Sequence, residues 1–233
     1  NLIAHAPDLK RIIYLGGIIP EGSDLSAHLR SRKMVGEELA KGSAKVIEFR
    51  ASIVIGPGSH SFELIRALSH RLPFILRTHW SMSLCQPIAL VDLIDYLDQA
   101  RNKIPNNKHQ IYEVGGHDKV KYDELLSLYA KKSELKRPLI KVHDFPLEVA
   151  KKVTRLIVPE YSDVGKKLLE SIHLSTIVSN DKAKMDFSIT PLSLDEALAQ
   201  AMKNERKTFR EMSLNELRER VQNVEEIQRL FAN

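Results

Sequence analysis

The sequence predicts a mixed α/β fold, a parallel doubly wound sheet followed by a mainly helical carboxyl-terminal region. Three observations lead there. Apolar runs at Arg11–Leu15, Val46–Ile55 and Gln110–Val114 each meet glycine at their carboxyl ends, as strands buried on both faces do. The segment between the first two carries apolar residues at helical spacing with short connections, which gives a right-handed crossover and a parallel pair. Beyond residue 116 helical periodicity takes over.

Taken in order, Arg11–Leu15 closes on Gly16-Gly17, and a loop with Pro20 and Gly22 follows. Leu25, Leu29, Val35 and Leu39 then predict a helix of about four turns, capped by Ser23 or Asp24 and stopped at Gly42. Val46–Ile55 reads as one strand. Ser59 or Ser61 caps a helix carrying Phe62, Leu64, Ile65 and Leu68, and Leu72-Pro73 ends it. Extended segments at 74–76 and 86–90 flank an irregular loop. A helix over 91–100 presents Leu93, Ile94 and Leu97, and the strand Gln110–Val114 ends at Gly115-Gly116. Helices are expected over 122–131, 146–157, 162–172 and 194–202, the last opened by the capping box Ser193-x-x-Glu196. Residues 203–210 read as a basic hinge. A second capping box, Ser213-x-x-Glu216, precedes an amphipathic helix with Leu217, Val221, Val224, Ile227 and Leu230 on one stripe, a surface for a homo-oligomer contact.

The 233 residues suffice for a real core, and 43% apolar with 28% charged residues exclude wholesale disorder. The net charge of +5 is spread over clusters without interleaved aromatics, which argues against a nucleic-acid interface. One cysteine, Cys85, fits a reducing, cytoplasmic setting. No run reaches the roughly 18–20 apolar residues of a spanning helix. The chain opens on Asn1 without Met and meets a strand by Arg11, so truncation or processing at the amino terminus is expected.

Chemistry-bearing motifs are few. Gly56-Pro57-Gly58-x-x-Ser61 approximates a pyrophosphate-cradling turn but has proline between the first two glycines, serine for the third and no acidic residue about twenty positions on; a tight strand-to-helix turn explains it better. His28 and Arg32, four apart on a helix, face one neighbourhood and can hold an anion or move a proton. Gly16-Gly17 lies at a strand's carboxyl end, where open α/β sheets place their ligands. The other histidines have no metal-ligand spacing to a cysteine or carboxylate, so no metal site is expected.

Tyr14-Leu15-Gly16-Gly17, His28-Leu29-Arg30-Ser31-Arg32, Gly36-Glu37, Arg50–Gly56, Gln86-Pro87-Ile88-Ala89 and Tyr112–Gly116, in that order, resemble the atypical and extended short-chain dehydrogenase/reductases, the NAD(P)-binding, epimerase/dehydratase-like proteins. The resemblance runs from residue 1 to about 205. It implies a partial Rossmann-like sheet in which residues 1–56 and 86–116 form the carboxyl-terminal half of a cofactor domain. It further implies a substrate-side region at 57–85 and 117–205, with 206–233 an added helix. The family's glycine-rich amino-terminal part has no counterpart here.

By that resemblance the cofactor is NAD or NADP, bordered by Gly16, Gly17, Arg50, Ala51, Ser52 and Ile53. The substrate is a small carbonyl, hydroxyl or sugar-nucleotide compound, near Phe62 and Gln86. The family's tyrosine and lysine, four residues apart, correspond to His28 and Arg32, and its serine to the Gly16-Gly17 position. Histidine can still act as acid or base, whereas arginine only orients and stabilises charge. Two functions follow: an oxidoreductase or epimerase using His28 and Arg32, or a non-catalytic NAD(P)-binding regulatory or assembly module.

Overall fold

The computed structural model describes residues 9–20, 22, 24–143 and 145–210. Three parallel strands, β1 (Arg11–Gly17), β2 (Lys45–Ala51) and β7 (His109–Val114), form the principal sheet in the order β1-β2-β7. Between β2 and β7 lie β3 (Val54–Ile55), β4 (Ile75–Arg77), β5 (Leu84–Cys85) and β6 (Ile88–Ala89), followed by β8 (Val120–Lys121) and β9 (Leu139–Lys141). The pairs β3–β6 and β4–β9 are parallel, and β5–β8 is antiparallel. Eight α-helices and two short 3₁₀ turns, Trp80–Met82 and Pro159–Tyr161, complete the described residues; the α-helices are α1 (Ala27–Ala40), α2 (His60–Arg71), α3 (Leu90–Ala100), α4 (Tyr122–Lys132), α5 (Leu147–Ile157), α6 (Ser162–Ser171), α7 (Lys182–Phe187) and α8 (Leu194–Arg210). The architecture is a mixed α/β, Rossmann-like one.

Several expectations need correcting. The run 46–55 is two strands, because the chain leaves β7 after Ala51 and β3 pairs instead with β6, Val54 opposite Ile88. That break puts Ser52-Ile53 at a strand end. β1 is half-buried along its whole length rather than enclosed, since among the described residues it pairs only with β2. The cap of α1 is Ser26, whose Oγ accepts from Leu29 N at 3.3 Å, in place of Asp24; Ser23 lies outside the described residues. Val35 and Ile94 face solvent, and the buried stripes are Leu29 with Gly36 on α1 and Leu93, Tyr96 and Ala100 on α3. Residues 203–210 continue α8 rather than forming a hinge. The capping box at its start is formed both ways: Glu196 Oε2 accepts from Ser193 N at 2.9 Å, and Ser193 Oγ accepts from Glu196 N at 3.3 Å. The amphipathic stripe over 217–230 lies outside the described residues.

The principal sheet has two unlike faces. Ile47, Phe49, Ala51, Tyr112 and Val114 pack against Leu93 and Tyr96 of α3 and Phe187 of α7 in one apolar cluster. The opposite face carries Glu48, Arg50 and His109 and lies under α1. There Glu48, 1% exposed, accepts from Arg50 Nε at 2.6 Å, and its Oε2 lies 2.6 Å from His109 Nε2. α1 crosses this carboxylate at Gly36, where a Cβ would sit 2.3 Å from Glu48 Oε2, so only glycine lets the helix approach so closely. A second apolar cluster joins α2, α4 and α8 through Phe62, Leu125, Tyr129 and Leu198. Among the described residues no helix is long and apolar enough to cross a membrane.

Candidate functional site

The parallel strands β1 and β2 end side by side, and outside their carboxyl ends a cleft of about 290 Å³ opens. β1 contributes Gly17 and the following Ile18, and β2 contributes Ala51 with Ser52 and Ile53 beyond it. Ile18 N donates to Ala51 O at 3.1 Å, which locks the two strand ends together. The first turns of α1 bring His28, Leu29 and Arg32, and the amino terminus of α2 brings His60 and Ser61. Tyr122, then Lys167 and Ser171 of α6, and Thr176 close the far wall. α1 is fixed against that wall by the Ser26 and Ser171 hydroxyls, 2.7 Å apart.

Two properties define the site's chemistry. The first is charge: Arg32 and Lys167 line the cleft, neither forms an ion pair among the described residues, and no carboxylate lines it. Partial burial, then the fields of Arg32 and Lys167, hold the His28 pKa below its ordinary value against a smaller opposing pull from Glu170. His28 is therefore neutral at neutral pH and available as a base. The second is a line of hydroxyls. Ser52 Oγ and Thr176 Oγ1 are 2.7 Å apart, and Thr176 also hydrogen-bonds the Tyr122 side chain, whose phenol burial pushes far up. Two of the three hydroxyl protons serve these internal bonds, which leaves one to donate to a ligand oxygen without titrating.

Of the sequence-predicted residues, the cleft brings together Gly17, His28, Arg32, Ala51, Ser52 and Ile53. Gly16 packs instead beside Glu48 and Tyr14, and Arg50 is bound to Glu48. Phe62 is fully enclosed in the core, edge-on to Tyr129. Gln86 is buried behind the cleft, donating to Gly116 O at 2.8 Å and accepting from Val178 N at 3.0 Å, while Gln86 N donates to Thr176 O. It thus holds the segment that carries Thr176. In the Gly56–Ser61 turn, Ser59 Oγ donates to Val54 O at 2.7 Å and Gly58 takes a φ of +79°, so the turn is satisfied internally. Ser61 was singled out only as the end of the Gly56–Ser61 turn, and residues 60, 122, 167, 171 and 176 carried no site signal in the sequence. They reach the cleft from helix ends and a loop that share no spacing with His28; a lone Lys167 on an amphipathic helix gives no local signal.

No protein-family model matches the chain, and no curated protein matches it in sequence. Solved structures do resemble it in fold. A UDP-glucose 4-epimerase from Thermotoga maritima, solved with UDP-glucose, superposes with a TM-score of 0.63 at 14% identity, over 89% of this chain and 68% of that one. An NADPH-dependent quinone oxidoreductase from Escherichia coli, solved with NADPH, gives 0.65 at 12% identity, over 85% and 69%. A nucleoside-diphosphate-sugar epimerase from Staphylococcus aureus gives 0.63 at 15%, over 84% and 68%. At such identities the likeness is one of fold.

Proposed function

We propose that this protein binds a nicotinamide dinucleotide, NAD or NADP, and acts as an oxidoreductase or epimerase-like enzyme on a small carbonyl, hydroxyl or sugar-nucleotide substrate. The observation that carries the reading is the position of the cleft outside the carboxyl ends of β1 and β2, with His28, Arg32 and Ser52 converging on it. Its volume of about 290 Å³ and its glycine-lined strand end suit the nicotinamide end of such a cofactor. Gly17, Ala51, Ser52 and Ile53 would border the ring, with Gly16 and Arg50 shaping the strand ends from behind. A nicotinamide held there supplies a hydride donor or acceptor.

The chain's own residues do the rest. Neutral His28 takes the proton of a substrate hydroxyl, or as imidazolium returns it to a carbonyl oxygen. Arg32 and Lys167 make the chamber cationic and keep His28 from holding its proton too tightly. The chain of hydroxyls through Ser52, Thr176 and Tyr122 keeps one proton free to donate to the substrate oxygen and so helps set its position. Phe62 and Gln86 support the substrate side from the core.

One feature favours the alternative, a non-catalytic NAD(P)-binding regulatory or assembly module: glycine fills β1's end, where the resemblance expects a catalytic serine. Turnover of a carbonyl panel with NADH and NADPH separates the two. The enzyme reading expects His28→Ala to reduce kcat by about 10²–10⁴-fold with cofactor affinity retained. Cofactor binding without turnover by the unmodified protein selects the module instead.

A further inference from the structure

The cleft has an annex. A second cavity of about 80 Å³ lies between α2, α4, α5 and α6, and four residues, Ile53, Ser61, Tyr122 and Leu168, line both spaces. Its remaining wall is mostly aliphatic, with Leu64, Leu68, Leu125 and Leu169 prominent beside Thr154, and no charged side chain lines it. The two spaces therefore adjoin as a cationic chamber and an apolar lobe, with the Ser52, Thr176 and Tyr122 hydroxyls at the junction.

We infer that the substrate is amphipathic: an anionic or strongly polar head held near Arg32 and Lys167, a carbonyl or hydroxyl at the hydroxyl line, and a short alkyl arm filling the lobe. This rests on the reading of the cleft as the substrate site. Charge complementarity selects the head, since the chamber offers two cations without ion-pair partners among the described residues and no carboxylate among those that line it. Apolar lining selects the arm, because a polar group in the lobe would lose its water and meet only the few hydroxyls of Ser61, Tyr122 and Thr154 among aliphatic walls. The volume, about three water-sized units, sets the arm at roughly three to four carbons. A sugar ring, with hydroxyls on every carbon, is excluded from the lobe on the same ground.

The test is calorimetric titration of the whole chain with inorganic phosphate and the ethyl, butyl, hexyl and octyl phosphates, with NADPH titrated in parallel. Affinity is expected to rise about fourfold per methylene over the first three or four carbons and then level off. Leu169→Phe, which fills the lobe, should flatten the rise and leave inorganic phosphate binding unchanged; Leu68→Phe serves as an independent filling variant. Arg32→Gln should weaken every member of the series by a similar factor. No dependence on chain length, or a dependence that both filled variants retain, overturns the amphipathic substrate. If NADPH binding persists in that case, the cofactor reading stands without it. If the gradient holds but NADPH does not bind, the cofactor reading fails and the lobe remains.

Discussion

The two faces of the principal sheet solve the same problem by different physics. On one, Phe49, Tyr96, Tyr112 and Phe187 interlock with ring centroids 5.0–5.9 Å apart, so that apolar burial dominates the seating of α3 and α7, with the Tyr112 hydroxyl donating to Asp186 of α7 at 2.7 Å beside it. On the other, α1 settles on a single buried carboxylate, Glu48, held between Arg50 and His109. Apolar packing is non-directional and tolerates small shifts, whereas a bracketed carboxylate under a glycine allows one helix position. The helix so fixed is the one whose first turns carry His28 and Arg32 into the cleft. The comparison teaches that stability and site geometry are assigned to opposite faces.

That division can be broken by experiment. Phe49→Ala should cost about 3–5 kcal/mol in urea unfolding, the largest effect, through lost burial and a cavity among four rings. Glu48→Ala should cost about 2–3 kcal/mol, below the ~3–5 kcal/mol of fully buried pairs because Arg50 and His109 keep some solvent contact. It should also shift the His28 resonances, which a substitution on the apolar face, Leu93→Ala, should leave in place. Equal perturbation of His28 by both would abolish the distinction.

The pH dependence sharpens the account further. The folded-state pKa of His28 is depressed, so the unfolded chain binds the proton more readily. Its contribution to stability is complete above about pH 6.5 and is lost as pH falls from there towards the lowered folded value. Arg32→Gln and Lys167→Gln should each raise the His28 pKa, read by NMR titration, and move this loss to a narrower window nearer pH 6.5. The smallest effect is at Cys85. Burial pushes its thiol up to about 12, so native protein should resist alkylation at pH 8 and react only on unfolding.

Much of the fold was legible in the sequence because periodicity and punctuation agreed. β1, β7 and the helices from α2 to α6 lie within a residue or so of their apolar patterns, and Ser193-x-x-Glu196 forms the reciprocal cap its spacing announces. The division of 45–55 into β2 and β3 was not legible, since apolar residues continue on both sides of Ser52 and nothing local marks a change in pairing partner. Glu48 and Arg50 offered a clue: two charges at period two within a buried strand need a partner across the sheet, but nothing local points to His109, sixty-one residues on. For the site, His28 and Arg32 share a helix face and Gly17 a strand end, both legible by spacing, whereas Ala51, Ser52 and Ile53 lay inside the expected strand and were implied only by the family resemblance. Lys167, Ser171 and Thr176 were not legible, because tertiary packing alone brings them there.

The central claim is that the cleft at the ends of β1 and β2 receives a nicotinamide dinucleotide. Amide hydrogen exchange of the whole chain, with and without saturating NADPH or NADH, tests it most directly. The account predicts slowed exchange concentrated at residues 16–18, 28–32 and 51–53, with little change in β4, β9 or α3. Protection confined to other elements, or none with either cofactor, would contradict it.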